Sequence, residues 1–419
     1  MKRRVVVTGI GVVAPNGIGK DAYWKALENG QSGIKNCTLF DASSLPNQAV
    51  GEVTDFNIRD FTDSKILINS GRACQFALSA ANLALEDAQL NNIRSDRWSH
   101  YRKGVAFGTA FPAIDLFEYQ LRLLLEKKVI TPDQMNEFYS LCSSNPITME
   151  LVEQSGFDDF SITLSSACTA GSEAIFFAAS QITQNNADIF ICGGADAFLT
   201  FVMSSAFHAA GLSAQEPYEY AEQVSRPFDK KRSGGVNSEG AAVIVLEEFE
   251  AALQRGARIY GEIKGWSCCP KKKGKNNELE TISGMEMSMK DAINRSGLKP
   301  SQIEYVSAHA PSLPVFDKLE TMAIKRLFGD HAYKIPVSSI KSMIGNPMAA
   351  AGPMQLISAL LGINKGIIPP TINYEFPDPE CDLDYVPNQA RRNEIENALI
   401  ETHGLDGTNA VIVVKKFRC

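Results

Sequence analysis

Five short apolar runs, rich in β-branched side chains, set the strongest limit on what this chain can fold into. They are "RVVVTGI" (Arg4 to Ile10), "GVAFGTA" (Gly104 to Ala110), "DIFICGGADA" (Asp188 to Ala197), "AAVIVLEEF" (Ala241 to Phe249) and "AVIVVKKF" (Ala410 to Phe417). Each is nearly continuous rather than alternating, the pattern of a strand covered on both faces. Longer stretches between them, Gly71 to Asn91 and Ser283 to Ser296 among them, place apolar residues at helical spacing. Strands that need cover, alternating with helices that supply it, predict a layered α/β fold.

With 419 residues, 44% of them hydrophobic, the chain can bury a large core. A composition shift near Glu250, where a strand gives way to "AALQRGARIYGEI", divides it into expected halves of residues 1–250 and 251–419. The formal charge of -7 leaves no broad basic surface for nucleic acid. No window approaches the ~20 uninterrupted apolar residues of a membrane span. The opening "MKRRVVVTGIGVVAPNG" imitates a signal peptide, but its glycines and the Pro15-Asn16-Gly17 turn make it a first strand and loop. Nine cysteines, an odd number without paired C-x-x-C spacing, predict no metal site and a reducing, cytoplasmic setting.

Gly9, Gly11 and Ala14 reproduce the G-x-G-x-x-A spacing of a dinucleotide-binding turn. Such a turn must run straight into a helix whose N-terminus faces the pyrophosphate, and Pro15 to Gly17 break the chain there. The expected acidic partner would be Glu28, which sits inside the helical pattern "DAYWKALENG". The glycines are therefore read as structural.

In "ITLSSACTAGSEAI" (Ile162 to Ile175), Cys168 falls between a strand end and a helix of small residues running from Ala170 to Ser180. Unpaired N–H groups at a helix start favour an ionised thiol and can bind an oxyanion. A buried, inert cysteine is the plain alternative, which local sequence leaves open.

The stretch resembles the active-site elbow of the β-ketoacyl-acyl-carrier-protein synthases, condensing enzymes of the thiolase fold, and the resemblance runs along nearly the whole chain. It is carried by "RVVVTGIGVVAPNG", "FDASSLPNQAVGEVTDFN", "RPFDKKRSGGVNSEGAAVIVLEE", "SAHAPSLPVFDKLE", "SSIKSMIGNPMAAAG", "PPTINYEFPDPECDLDYVP" and "GLDGTNAVIVV", in that order. Its type II elongation class is the nearest match. The resemblance implies a thiolase-like, five-layered α/β/α/β/α fold of two similar halves. It further implies a ketosynthase in which Cys168 takes an acyl group from a carrier-protein thioester. A malonyl thioester then loses carbon dioxide and its enolate attacks the acyl-cysteine.

Two side chains hold the malonyl oxygen in this family. The first matches His309; where the type II class has a second histidine, this chain has Asn346, an amide that donates a hydrogen bond but cannot ionise. The trio Cys168, His309 and Asn346 is similar to that of the initiating class. Lys341 and Glu320 match supporting residues, with Asp317 nearby. Pro311 and Leu313 stand where two threonines would contact the pantetheine arm, so carrier recognition is expected to differ. Phe111 replaces the residue lining the acyl pocket, which should shorten it or favour a flat, unsaturated chain. In the gating loop, Leu405 replaces a phenylalanine, with Asp406 beside it and His403 two positions earlier.

What the resemblance implies about partners is an acyl carrier protein, malonyl and acyl thioesters, and a homodimer or a heterodimer with a related subunit. No cofactor beyond the carrier's phosphopantetheine arm is expected. Lys230, Lys231, Arg232 and the Lys271 to Lys275 run are candidates to receive an acidic carrier. The changed pocket positions point to specialised fatty-acid or polyketide-type biosynthesis. Two other outcomes stay open at this point: an acyltransferase or decarboxylase without elongation, and a non-catalytic subunit that sets chain length.

Overall fold

The computed structural model describes residues 3–61, 70–90, 98–126, 131–133, 135–136, 146–270 and 277–418. The first half contributes β1 (Val5–Ala14), β2 (Lys103–Gly108), β3 (Phe160–Leu164), β4 (Ile189–Asp196) and β5 (Gly240–Glu248). The second contributes β6 (Gly261–Pro270), β7 (Tyr305–Ser307), β8 (Val337–Ser338), β9 (Asn397–His403) and β10 (Thr408–Lys415). Their spatial orders are β3-β2-β4-β5-β1 and β8-β7-β9-β10-β6, one topology written twice. In both, the outer three strands run parallel and the remaining pairs antiparallel. The halves join where Val5, Val6 and Val7 of β1 pair with Ile263, Glu262 and Gly261 of β6.

Five layers follow from where the helices pack. α1 (Arg72–Asp87) covers β1, β4 and β5 from outside. On the far side, α4 (Asn277–Ser296) covers β6 and β10, with α5 (Pro314–Phe328) against it. Between the two halves of the sheet lie α3 (Ala170–Thr183) and α6 (Ala351–Lys365), touching each other and strands of both halves. They are buried on nearly every side and so carry no polar stripe. Outside this stack, α2 (Ile114–Leu125) leaves Phe117, Tyr119, Leu121 and Leu125 exposed.

All five apolar runs form strands, and β1, β4 and β5 are buried at every residue, as continuous runs require. The helix expected from Gly71 ends at Asp87, and Asn91 lies outside the described residues. The helix expected from Ser283 starts earlier, at Asn277. Gly9 and Gly11 lie inside β1, not in a phosphate-binding turn: a Cβ on Gly11 would sit 1.8 Å from the Ala80 carbonyl oxygen, and one on Gly9 2.3 Å from that of Ala84. They let α1 lie directly on the sheet. Among the described residues no helix is long and apolar enough to cross a membrane.

Candidate active site

The third strand of each half leads toward a central helix through the same turn. After β3, the 3-10 turn Ala167–Thr169 runs into α3; beyond β8 and the short helix Lys341–Ile344, the turn Met348–Ala350 runs into α6. The first residue of each turn is held in the left-handed region, Ala167 at φ 51° and Met348 at φ 49°. A non-glycine residue there costs about 1–3 kcal/mol and persists only where its surroundings impose it. In the first half the next residue is Cys168, 1% exposed; in the second it is Ala349.

Two side-chain hydrogen-bonding contacts reach the Cys168 sulfur among the described residues. Asn346 Nδ2 donates to it at 3.7 Å, and Met348 Sδ lies 3.6 Å away. Burial pushes the thiol up to about 11, against the opposing pull of the Asn346 amide and the Lys341 charge. That corrects the expectation of a readily ionised cysteine: desolvation outweighs what neighbouring donors return. An apolar wall of Phe198, Phe207, Phe111, Ile114, Met203 and Leu212 surrounds the sulfur and Met348. Asp196, buried at the end of β4, accepts from the backbone N–H groups of Ala110, Phe111 and Ala349 and from the Thr109 hydroxyl. One carboxylate thus ties the loop bearing Phe111 to the turn bearing Met348.

His309 follows β7. Lys341 Nζ donates to its Nδ1 at 3.2 Å and to Gln355 Oε1 at 3.1 Å. An ammonium only donates, so Nδ1 is the bare nitrogen and Nε2 carries the proton. Burial, then the charges of Lys341 and His403, push His309 well down, so the ring is neutral. Burial also brings Lys341 down to about 8, less far than it would without the charges of Cys168, Glu320 and Asp317. Gln355, on α6, completes the frame by donating to the carbonyls of Ser307, Ala308 and Glu401.

Glu320, on α5, accepts from the backbone N–H groups of His309 at 2.7 Å and Ala310 at 2.8 Å. Asp317 faces away, toward Phe228 N and Arg232. Pro311 is buried and Leu313 half-buried in the segment leading to α5, outside the apolar wall around Cys168. Leu405 is 41% exposed on the tight turn from Gly404 to Thr408. Of the carrier-facing candidates, Lys230 and Lys231 are exposed. Arg232 is not available: it is buried, bonded to Asp378 at 2.6 Å and to the carbonyls of Asp229 and Pro314. Lys271 to Lys275 lie outside the described residues.

The structure therefore brings Cys168, Asn346, Lys341 and His309 together, with Phe111 in the same wall. Sequence reasoning missed Met348, Asp196, Gln355 and Glu401. Met348 had the one available signal, two residues beyond Asn346 in a segment already singled out.

Comparison with known proteins agrees with this geometry. The patterns of the beta-ketoacyl synthase N-terminal and C-terminal domains match residues 2–252 and 260–375. A 3-oxoacyl-[acyl-carrier-protein] synthase 2 of Synechocystis sp. is 37% identical, over 100% of this chain and 99% of its own. The tetracenomycin polyketide synthase ketoacyl synthase alpha subunit of Streptomyces glaucescens is 33% identical, over 99% and 97%. Among solved structures, the ishigamide ketosynthase/chain length factor superposes with a TM-score of 0.89 at 30% identity, covering 100% of both chains. A type II polyketide ketosynthase, bound to the hexaketide and in complex with its acyl-carrier protein, does so at 0.88 and 32%, again over 100% of both. With a cysteine on the elbow of the first half bonded by an amide from the second, and with both domain patterns and full-length relatives matched along its length, this chain belongs to the β-ketoacyl synthase family.

Proposed function

We propose that this β-ketoacyl synthase performs decarboxylative condensation of an acyl chain held on Cys168 with a malonyl thioester on an acyl carrier protein. The observation that carries the reading is the Lys341 to His309 hydrogen bond, which leaves His309 Nε2–H as a fixed, neutral donor in the same site as the Asn346 amide. In the first step the Cys168 sulfur attacks the acyl thioester and its proton leaves with the pantetheine thiol. In the second, the malonyl carboxylate departs as carbon dioxide and the enolate oxygen is held by His309 Nε2–H and Asn346 Nδ2–H. The enolate carbon then attacks the acyl-cysteine carbonyl, and the Cys168 thiolate leaves. Holding an enolate oxygen requires donors and no titration, so an amide serves where the type II class has a second histidine.

Pairing with a second copy is supported by β3, the half-exposed outer strand of the sheet, and by the apolar residues exposed on α2. Lys230 and Lys231 are the described candidates to steer an acidic carrier, whose phosphopantetheine arm is the one group the reaction requires beyond its substrates. A cytoplasmic setting and a specialised fatty-acid or polyketide product belong to the same reading.

Intact-mass analysis after incubation with acyl- and malonyl-carrier protein tests it. Acylated Cys168 together with a product two carbons longer supports condensation. Acylation without product would mark an acyltransferase, and absence of any adduct a non-catalytic subunit.

A further inference from the structure

His403 ends β9 and immediately precedes the Gly404–Thr408 turn. Its ring is buried among groups whose hydrogen bonding fixes its protons. Asn409 donates through Nδ2 to the carbonyls of Cys269 and Gly407, so the atom it presents to His403 Nδ1, at 2.8 Å, is its carbonyl oxygen. Nδ1 therefore carries a proton. The other nitrogen, Nε2, faces two carboxylates, Glu401 Oε2 at 3.2 Å and Glu320 Oε1 at 3.4 Å. Both Glu320 oxygens already accept backbone N–H groups, from His309 and Ala310, which is the bonding of an ionised carboxylate.

We propose that His403 is a positioning residue: an imidazolium that bridges Glu401 and Glu320 and, through Glu320, holds the backbone of His309 in one frame with the Gly404–Thr408 turn. The inference rests on reading His309 as the residue that holds the malonyl oxygen. The titratable groups around the ring are Glu401 on its own strand, Glu320 from α5 and His309 from the segment after β7, with the His309 and His403 ring centroids 5.5 Å apart. Lys341 stands on the other side of His309. Two carboxylates against one imidazolium and one ammonium close the charge balance of this buried group. Among the described residues Glu401 Oε1 accepts no hydrogen bond, and burial, with the nearby Glu320, pushes this carboxyl up to about 7 against the pull of His403, the cation that faces it. Burial pushes the His403 ring down, but the hydrogen bonds and charges of Glu320 and Glu401 outweigh it and hold it up at about 9.

Selective 15N-histidine labelling of the full chain tests the charge, because only five histidines contribute signals. His403 is assigned by the loss of its signals in His403→Gln, or by elimination using variants at His100, His208, His309 and His331. The expected result at pH 7.5 is the imidazolium pattern, with both ring nitrogens protonated; a neutral tautomer overturns the proposal. The measurement is made on the resting protein, so it stands or falls independently of whether the protein condenses. A second arm tests positioning with Glu401→Gln and His403→Gln. Malonyl decarboxylation should fall about 10- to 100-fold through kcat with little change in KM, while self-acylation of Cys168 stays within about twofold. An equal loss in both steps would mean general structural damage and overturn it. So would a stoichiometric metal ion retained by the wild type and lost in Glu401→Gln.

Discussion

The thioether of Met348 rests 3.6 Å from the thiol of Cys168, so the sulfur that would carry the acyl chain is capped by a flexible side chain from the opposite half. Met348 and Phe111 share one apolar wall with Cys168, and Phe111 stacks at a tilt against Phe198 with ring centroids 5.8 Å apart. Removing either side chain should lengthen the space beyond the sulfur. Met348→Ala and Phe111→Ala are expected to shift the product distribution toward longer chains, read by mass spectrometry of carrier-bound products. An unchanged distribution in both would remove these residues from the acyl pocket.

A thiol pushed up to about 11 stays protonated at neutral pH. Alkylation of Cys168 by iodoacetamide should therefore climb with each pH step from 7 to 10. A plateau below pH 8 would show the thiolate to be the resting form. Cys168→Ala should give no acyl adduct by intact mass.

Asn346 donates to the sulfur and sits beside the proposed enolate site. Asn346→Ala is expected to leave acyl loading of Cys168 intact while malonyl decarboxylation drops about 100-fold, the usual loss for one oxyanion donor. Normal elongation by this variant would exclude the amide from the reaction.

Lys341→Met removes the donor that fixes the His309 tautomer. Condensation should fall about 100-fold or more with acyl loading retained, as expected when a wrong tautomer presents a bare nitrogen to the enolate. The same variant changes the pH dependence of stability. A lysine lowered from 10.5 to about 8 in the fold binds its proton more tightly when unfolded, so the native state gains stability as pH rises from about 8 to 10.5. Denaturant titrations across that window should show the rise in the wild type and a flatter line in Lys341→Met.

Gly11→Ala tests the packing of α1 on β1. The added methyl meets the Ala80 backbone, which cannot swing aside, and a loss of about 1–3 kcal/mol in unfolding free energy is expected. Thermal and denaturant melts would measure it.

Much of the fold was legible because continuous apolar runs have few alternatives: buried strands read as such in one dimension, and Gly9 and Gly11 were separable from a phosphate turn by the break at Pro15. The elbow at Cys168 was legible from the change of residue size on either side of it. The state of the thiol was not, because desolvation depends on what the rest of the chain stacks around it. Arg232 shows the same limit, since nothing local distinguishes it from Lys230 and Lys231, while Asp378, 146 positions away, draws it inside. Glu401 and Gln355 were illegible for a related reason: a carboxylate or amide inside a strand or helix gains its meaning from partners on other segments.

The matched turns at Ala167 and Met348 imply a division of labour between duplicated units. On the proposed reading one copy offers the sulfur that would take up the growing chain; its twin has a methyl group at the corresponding place and would contribute the hydrogen-bond donors instead. Neither copy would then hold a complete set of reacting groups. A polypeptide severed near Glu250 would have to reassemble before it could turn over, however well each fragment folded.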